Sequence, residues 1–378
     1  MSYLDEWVKA WKLISNKVQV FNVMKDLEIR YLQKSLSKFD LIVILHSVSA
    51  DSNSWLIDLE RILAKRNCPV ILFVGNEYSN PWLSMESRLQ NIAKIGPDLI
   101  ATQLIQKSGD FLYSGTGAKI VEIPHALPLR EVSESPKPIR NLDLGFRGFD
   151  YPWFLLDEDR NKVVDEVSNY SLSCNFSVDI SKSERLDKEF WYKFLKNCKV
   201  TVASEGGSNY VFKTDDVWRE ALKFLESVNG TKYLANDFPG AKLIRSLPGN
   251  LKTNLRKIAK VLGREQGAMS VLSPEILEEV LNKIDRDSYE HVSGKALTSR
   301  HMDAIYCGTW QILTAGDYNG ILKPGAHYSA WDSNNPSEIL REVEDAIQTN
   351  RSANIYEQLI EENSYQSRIN TLLDRLYS

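Results

Sequence analysis

The chain has 378 residues, enough for two domains with a core in each. It is 43% hydrophobic and 25% charged with a net charge of −4, the composition of a globular protein, and its mild acidity argues against a dedicated nucleic-acid binder. Cys68, Cys174, Cys198 and Cys307 lie far apart with no CxxC pair, so neither a zinc site nor a disulfide framework is indicated. No run approaches the ~18 apolar residues of a membrane span, and the N-terminal segment lacks a signal peptide's layout, which points to a cytoplasmic protein.

In chain order, Leu4, Trp7, Trp11 and Ile14 have helical spacing over residues 1–15, and Val18 to Val23 reads as a short β-branched strand. A polar helix-like stretch leads to Asp40–Leu45. That run is continuously apolar, as in a strand buried on both faces of a parallel sheet. A polar loop, His46 to Asn53, precedes a helix-like run from Trp55 to Lys65. Pro69–Val74, Asp98–Ala101 and Lys119–Ile123 repeat the strand pattern. Residues 127–140, with three prolines and no periodicity, read as a linker. A second series follows: Leu142–Phe149, a helix from about Leu155 to Val167, and Cys198–Ala203. Residues 209–294 are mostly helical in pattern, the strand series resumes at Gln311–Thr314, and Asn354–Leu376 reads as one amphipathic helix. The fold class is therefore α/β: two Rossmann-like domains facing a cleft, at 1–130 and 141–353, with a helical insertion at about 215–290 and a C-terminal helix at 354–378 packing back toward the first domain. Ligands in such sheets sit at the C-terminal strand ends, which makes the loops 46–53 and 75–80 cleft candidates.

The segment KALTSRHMDAIYCGTWQIL, 295–313, speaks most directly to function. It sets Asp303 near the start of an apolar helix that ends at Cys307-Gly308-Thr309. A carboxylate suits ribose hydroxyls, and helix-start N–H groups suit phosphates. Ser299 and Arg300 precede Asp303 and stand ready for phosphate oxygens. Glu205-Gly206-Gly207-Ser208 follows a strand and fits a phosphate or base loop, and Arg147-Gly148 closes another strand where a diphosphate would approach. In the first domain, His46 and Asp51 are candidates for a general base toward an acceptor hydroxyl, with His125 a weaker one. Asp157-Glu-Asp159 and Asp285-Arg-Asp287 read as helix caps rather than metal motifs, so no metal and no cofactor is expected. The aromatic clusters 149–154 and 190–194 suit core packing or ring stacking. Residues 242–264 carry seven cations and no acid beside an apolar stripe. This basic amphipathic helix is either a solvated face or a docking face for an anionic membrane.

Residues 295–313 resemble the hallmark of the retaining GT-B glycosyltransferases, in which two acids eight positions apart precede a small-residue run. Lys295 and Asp303 stand at the two acidic positions. Leu322–Asp332, Pro336–Glu342 and Glu362–Ile369 resemble the C-terminal portion of the spore-maturation-type group 1 enzymes. Asp143–Gly148 is similar to the strand opening their donor domain, and Ile123–Ala126 sits where they close the first. The resemblance implies a transferase moving a sugar from a nucleotide-sugar donor to a glycan or lipid-linked acceptor, as in surface polysaccharide synthesis. Asp303 would hold the ribose. Lys295 would neutralise the leaving phosphates, since a cation cannot copy the first acid's contact with the sugar. A nucleotide-sugar epimerase and a catalytically inactive binding module of the same fold are the alternatives.

Overall fold

The computed structural model describes residues 2–130, 140–171, 175–184, 186–230, 272–332, 338–349 and 354–378, with 232–234, 243–244, 247, 251 and 264–266 between them. Most of the linker, and nearly all of the basic segment 242–264, lie outside the described residues. The α/β architecture of two parallel sheets facing a cleft is what the chain forms.

The first sheet orders its strands as β1 (Ile42–Ile44), β2 (Val70–Phe73), β3 (Leu99–Thr102) and β4 (Lys119–Glu122), all parallel. Its continuous apolar runs reflect two covered faces. In β2, Val70 and Leu72 join a cluster with α3 (Ser54–Leu63) and α4 (Met85–Ile95), while Ile71 and Phe73 join Trp7 and Trp11 of α1 (Ser2–Ile14). The expected strand Val18–Val23 does not form. Asn22 instead closes a local turn: its carboxamide oxygen accepts from the Met24 N–H at 2.9 Å, and its own N–H donates to Glu28 at 2.6 Å. The turn opens α2 (Asp26–Ser35).

The second sheet runs β13 (Ser329–Trp331), β12 (Trp310–Thr314), β7 (Cys198–Ala203), β5 (Leu142–Arg147), β6 (Val178–Ser181), again all parallel. From β5 the chain builds outward to β6, then returns past β5 to β7 and beyond, so the winding direction reverses between β5 and β7. A crevice opens at the C-terminal ends of strands flanking such a reversal. α6 (Asp159–Ser171), α7 (Lys188–Asn197) and α10 (Ser299–Tyr306) hang from these strand ends. In the expected helical insertion, the described residues form α8 (Arg219–Asn229) and α9 (Pro274–Asn282) together with the short parallel strands β9 (Lys232–Leu234) and β10 (Arg264–Gln266). Flanking the insertion, β8 (Val211–Phe212) and β11 (His291–Val292) pair antiparallel and seat Val211 and Val292 against the core of the first domain.

The C-terminal segment is two helices rather than one. Ser364 ends α12 (Ile355–Asn363) in an extended conformation, and its hydroxyl caps α13 (Tyr365–Tyr377) by accepting from the Ser367 N–H at 3.1 Å. Tyr365, Ile369 and Leu372 then pack with Trp7 and Trp11 beneath the first sheet.

Candidate functional site

A cleft of about 780 Å³ lies between the C-terminal strand ends of both sheets. On the first-domain side it is lined by the loops after β2 (Asn76, Glu77, Tyr78), β3 (Gln103, Leu104) and β4 (His125), with Tyr3 of α1. On the other side it is lined by 147–152 after β5, by Ser204, Gly206 and Gly207 after β7, and by 296–300 with Asp303.

The second-domain wall is cationic and aromatic. Arg300, in the first turn of α10, donates to the Arg147 carbonyl at 2.6 Å, and its guanidinium lies over Trp191 at 4.9 Å. Arg160 of α6 lies over the Tyr151 ring at 4.4 Å, and its Nε is buried without a hydrogen-bond partner. Gly148 makes that possible, because a Cβ there would sit 2.3 Å from the Arg160 terminal nitrogen. Arg147 is already engaged, with Asp179 at 2.5 Å and Glu184 at 3.1 Å.

One turn into α10, the buried Asp303 accepts from Trp191 Nε1 at 3.0 Å and from the Tyr192 hydroxyl at 3.1 Å. Burial pushes its carboxyl up to about 6, against the pull of those two donors. His301 is fully buried. Its Nδ1 accepts from the Thr298 N–H, and its Nε2–H donates to the Ser204 carbonyl, both at 3.0 Å. This imidazole therefore ties the end of β7 to the start of α10, and burial, assisted by Arg300, holds it down to about 3, neutral at physiological pH. The 205–208 loop pairs with the segment before α10 through Gly206 N–H to Ala296 O at 2.9 Å and the reverse bond at 3.1 Å. Gly207, at φ +91°, brings its backbone against Gly294 where no Cβ fits.

Several expected site residues stand elsewhere. His46 is buried among Trp7, Phe73 and Tyr3, closed off from the cleft by α1, and burial depresses its imidazole well below the ordinary range. Asp51 does not line the cleft either, and its carboxylate accepts from the Asn76 side chain at 3.0 Å. Gly308 and Thr309 follow the far end of α10, where the Thr309 hydroxyl donates to Leu195 O at 2.6 Å and accepts from Arg140 at 3.1 Å. Glu205 and Ser208 face inward: Glu205 accepts from the Tyr318 N–H at 2.7 Å, and the Ser208 hydroxyl donates to Tyr210 O at 2.7 Å. Lys295 is largely buried and pairs at 2.5 Å with Asp157, whose side chain is wholly buried. Asp157, read as a cap, does accept from the Asp159 N–H at 3.1 Å, and the ion pair is its second task.

Ser299, Arg300, Asp303, Arg147, Gly148, Gly206 and Gly207 come together on the cleft. The sequence reading missed Arg160, whose only cue was a cation at a helix start, and did not single out Glu77 within the 75–80 loop it named as a cleft candidate. Glu77 is buried and accepts from Thr102 (2.6 Å), Tyr113 (2.7 Å) and the Gln103 N–H (2.7 Å), and burial raises its carboxyl.

No family model and no curated protein matches this sequence. Among solved structures, HepE of Anabaena, crystallised with UDP-glucose, matches with a TM-score of 0.45 and 10% identity over 97% of this chain and 89% of HepE. TarM matches with a TM-score of 0.43 and 9% identity over 93% of this chain and 57% of TarM. The glycosylation-associated Gap123 complex of Streptococcus agalactiae matches with a TM-score of 0.37 and 14% identity over 93% of this chain and 56% of that one.

Proposed function

We propose that the chain is a GT-B-type glycosyltransferase that binds a nucleotide sugar at the β5–β7 crossover and transfers the sugar to a glycan or lipid-linked acceptor arriving from the first domain. One observation carries this reading: Arg160 and Arg300 converge with the start of α10 at the strand reversal, and the buried Nε of Arg160 has no protein partner. Two guanidiniums beside helix-start N–H groups suit a diphosphate, and they would stabilise it as a leaving group without a metal. Asp303 retains lone pairs beyond those used by Trp191 and Tyr192, and in this reading they accept ribose hydroxyls. The imidazole that faces the cleft is His125, neutral at physiological pH because burial lowers it to about 4; it takes the base role first given to His46 and Asp51. Lys295 becomes a support for the 294–298 segment rather than a phosphate ligand, since Asp157 neutralises it.

A second reading, nucleotide-sugar binding without transfer, is favoured by the same ion pair, because the residue at the hallmark's first acidic position is a neutralised cation. Thermal-shift titration with UDP, GDP and ADP, followed by turnover of the matching nucleotide sugars, tests both. A ligand at 100 times its Kd stabilises the fold by about 2.7 kcal/mol. Arg160→Gln and Arg300→Gln should each weaken binding by roughly 10- to 100-fold, as charge-assisted hydrogen bonds are worth about 1.5–3 kcal/mol. No stabilisation by any nucleotide, or equal affinity in both variants, would refute the site. Binding without turnover would select the second reading.

A further inference from the structure

The segment from the end of α1 through α2 carries an apolar surface that the fold leaves uncovered. α2 buries Leu32 and Ser35 and rests Ile29 on the core of the first domain. Its outer side carries Leu27, Tyr31 and Lys34 at i, i+4 and i+7, with Leu27 80% and Tyr31 53% exposed. Val20, Met24 and Leu13 are also more than half exposed. Among the described residues, six of the fourteen exposed large apolar side chains fall between 13 and 31, so this is a concentration rather than the ordinary scatter of single exposed residues.

The same stretch is locally basic in an acidic chain. Between residues 12 and 38 stand Lys12, Lys17, Lys25, Arg30, Lys34 and Lys38, all exposed, against only Asp26 and Glu28, with Lys25 paired to Glu28 at 2.9 Å. None of these residues lines the cleft. Apolar side chains interleaved with cations match a surface that offers anionic headgroups over hydrocarbon. A second copy of the chain fits worse, because a two-fold interface would set the same six cations against one another.

We propose that this face docks peripherally on an anionic lipid bilayer. Met24, Leu27 and Tyr31 enter the headgroup boundary, and the flanking cations meet lipid phosphates. No described helix is long and apolar enough to cross a membrane, so the contact is one of a face with a surface.

Flotation of the full chain with phosphatidylcholine vesicles, with and without phosphatidylglycerol, tests this. Binding should require phosphatidylglycerol and weaken as salt is raised. Each cation near an anionic surface contributes about fivefold, so Arg30→Gln/Lys34→Gln should lower partition roughly 30-fold. Leu27→Ser/Tyr31→Ser should lower it at least tenfold with the thermal midpoint held, since both side chains face solvent in the folded chain. Three results would overturn the proposal: no flotation with anionic vesicles at low salt, equal flotation with neutral ones, or variants that float like the parent. A concentration-dependent dimer abolished by Leu27→Ser/Tyr31→Ser would likewise overturn it and assign the face to a second copy. Nucleotide binding should be the same in all variants, so this test and that of the cleft fail independently.

Discussion

Replacing Lys295 by Met separates a structural role from a catalytic one. Asp157 is wholly buried and Lys295 nearly so, with 2.5 Å between their charged atoms. Removing one partner of a buried pair leaves the other charge uncompensated, which costs about 3–5 kcal/mol, whereas replacing both by apolar residues is often neutral. Lys295→Met should therefore lose most of that amount in urea unfolding at pH 7, and Lys295→Met/Asp157→Leu should recover most of it. The pH dependence has a definite sign. Burial already raises the Asp157 carboxyl above its ordinary 3.8, and loss of Lys295 raises it further. The folded variant then binds the Asp157 proton more tightly than the unfolded chain does. Its deficit is small below about pH 4 and grows as pH rises toward neutrality. Once both proteins are fully folded, nucleoside diphosphate affinity should be unchanged. A single variant as stable as the parent, or a deficit that ignores pH, would refute the buried-pair account. A folded variant with tenfold weaker nucleotide binding would return Lys295 to the phosphates.

The fold was legible where one physical signal dominated. The continuous apolar strands announced sheets covered on both faces, because alternate residues of β2 enter two different cores. Val18–Val23 misled because β-branched composition said nothing of Asn22, whose side chain captures the Met24 N–H and so removes it from a strand ladder. The single C-terminal helix was broken by one hydroxyl: the apolar period runs through Ser364, but Ser364 is a cap. In the site, Arg300, Asp303, Arg147 and the glycine loops were readable as local chemistry at strand and helix ends. The fates of Lys295 and His46 were not, since each is decided by a partner distant in sequence, Asp157 for one and Trp7 with Phe73 for the other. Arg160 shows the converse. Its place at a helix start says little by itself, and its guanidinium is seated over Tyr151 in space that a Cβ at Gly148 would invade.

Three further outcomes follow from the geometry. Asp303→Asn should bind nucleotide more weakly yet be more stable at pH 7. The wild-type carboxyl, raised to about 6, destabilises the fold progressively as pH climbs from about 4 to 6, and an amide does not ionise; parallel unfolding curves of the two proteins would contradict this. Gly148→Ala should displace the flexible end of Arg160 and weaken nucleotide binding by about tenfold, the loss of roughly one charge-assisted hydrogen bond, at little cost in thermal midpoint; unaltered affinity would count against Arg160 as a ligand. The last concerns the junction that fixes the cleft. Asp215, in the second domain, caps α4 of the first: its carboxylate accepts from the Met85 N–H at 2.8 Å and the Ser84 hydroxyl at 2.5 Å. A cap is worth about 0.5–2 kcal/mol, and here that amount is spent between domains rather than within a helix. Asp215→Ala should therefore lower overall stability by about 1–2 kcal/mol. It should also reduce the coupling between the two sheets, so that unfolding followed by tryptophan fluorescence in a variant with the five second-domain tryptophans (Trp153, Trp191, Trp218, Trp310 and Trp331) replaced by Phe, leaving the four of the first domain, departs from that seen by backbone circular dichroism. Asp215→Asn, which keeps an acceptor, should lie between. Coincident transitions in Asp215→Ala, with a midpoint equal to the parent's, would mean that the seating of Val211 and Val292 on the first core holds the domains together without the cap.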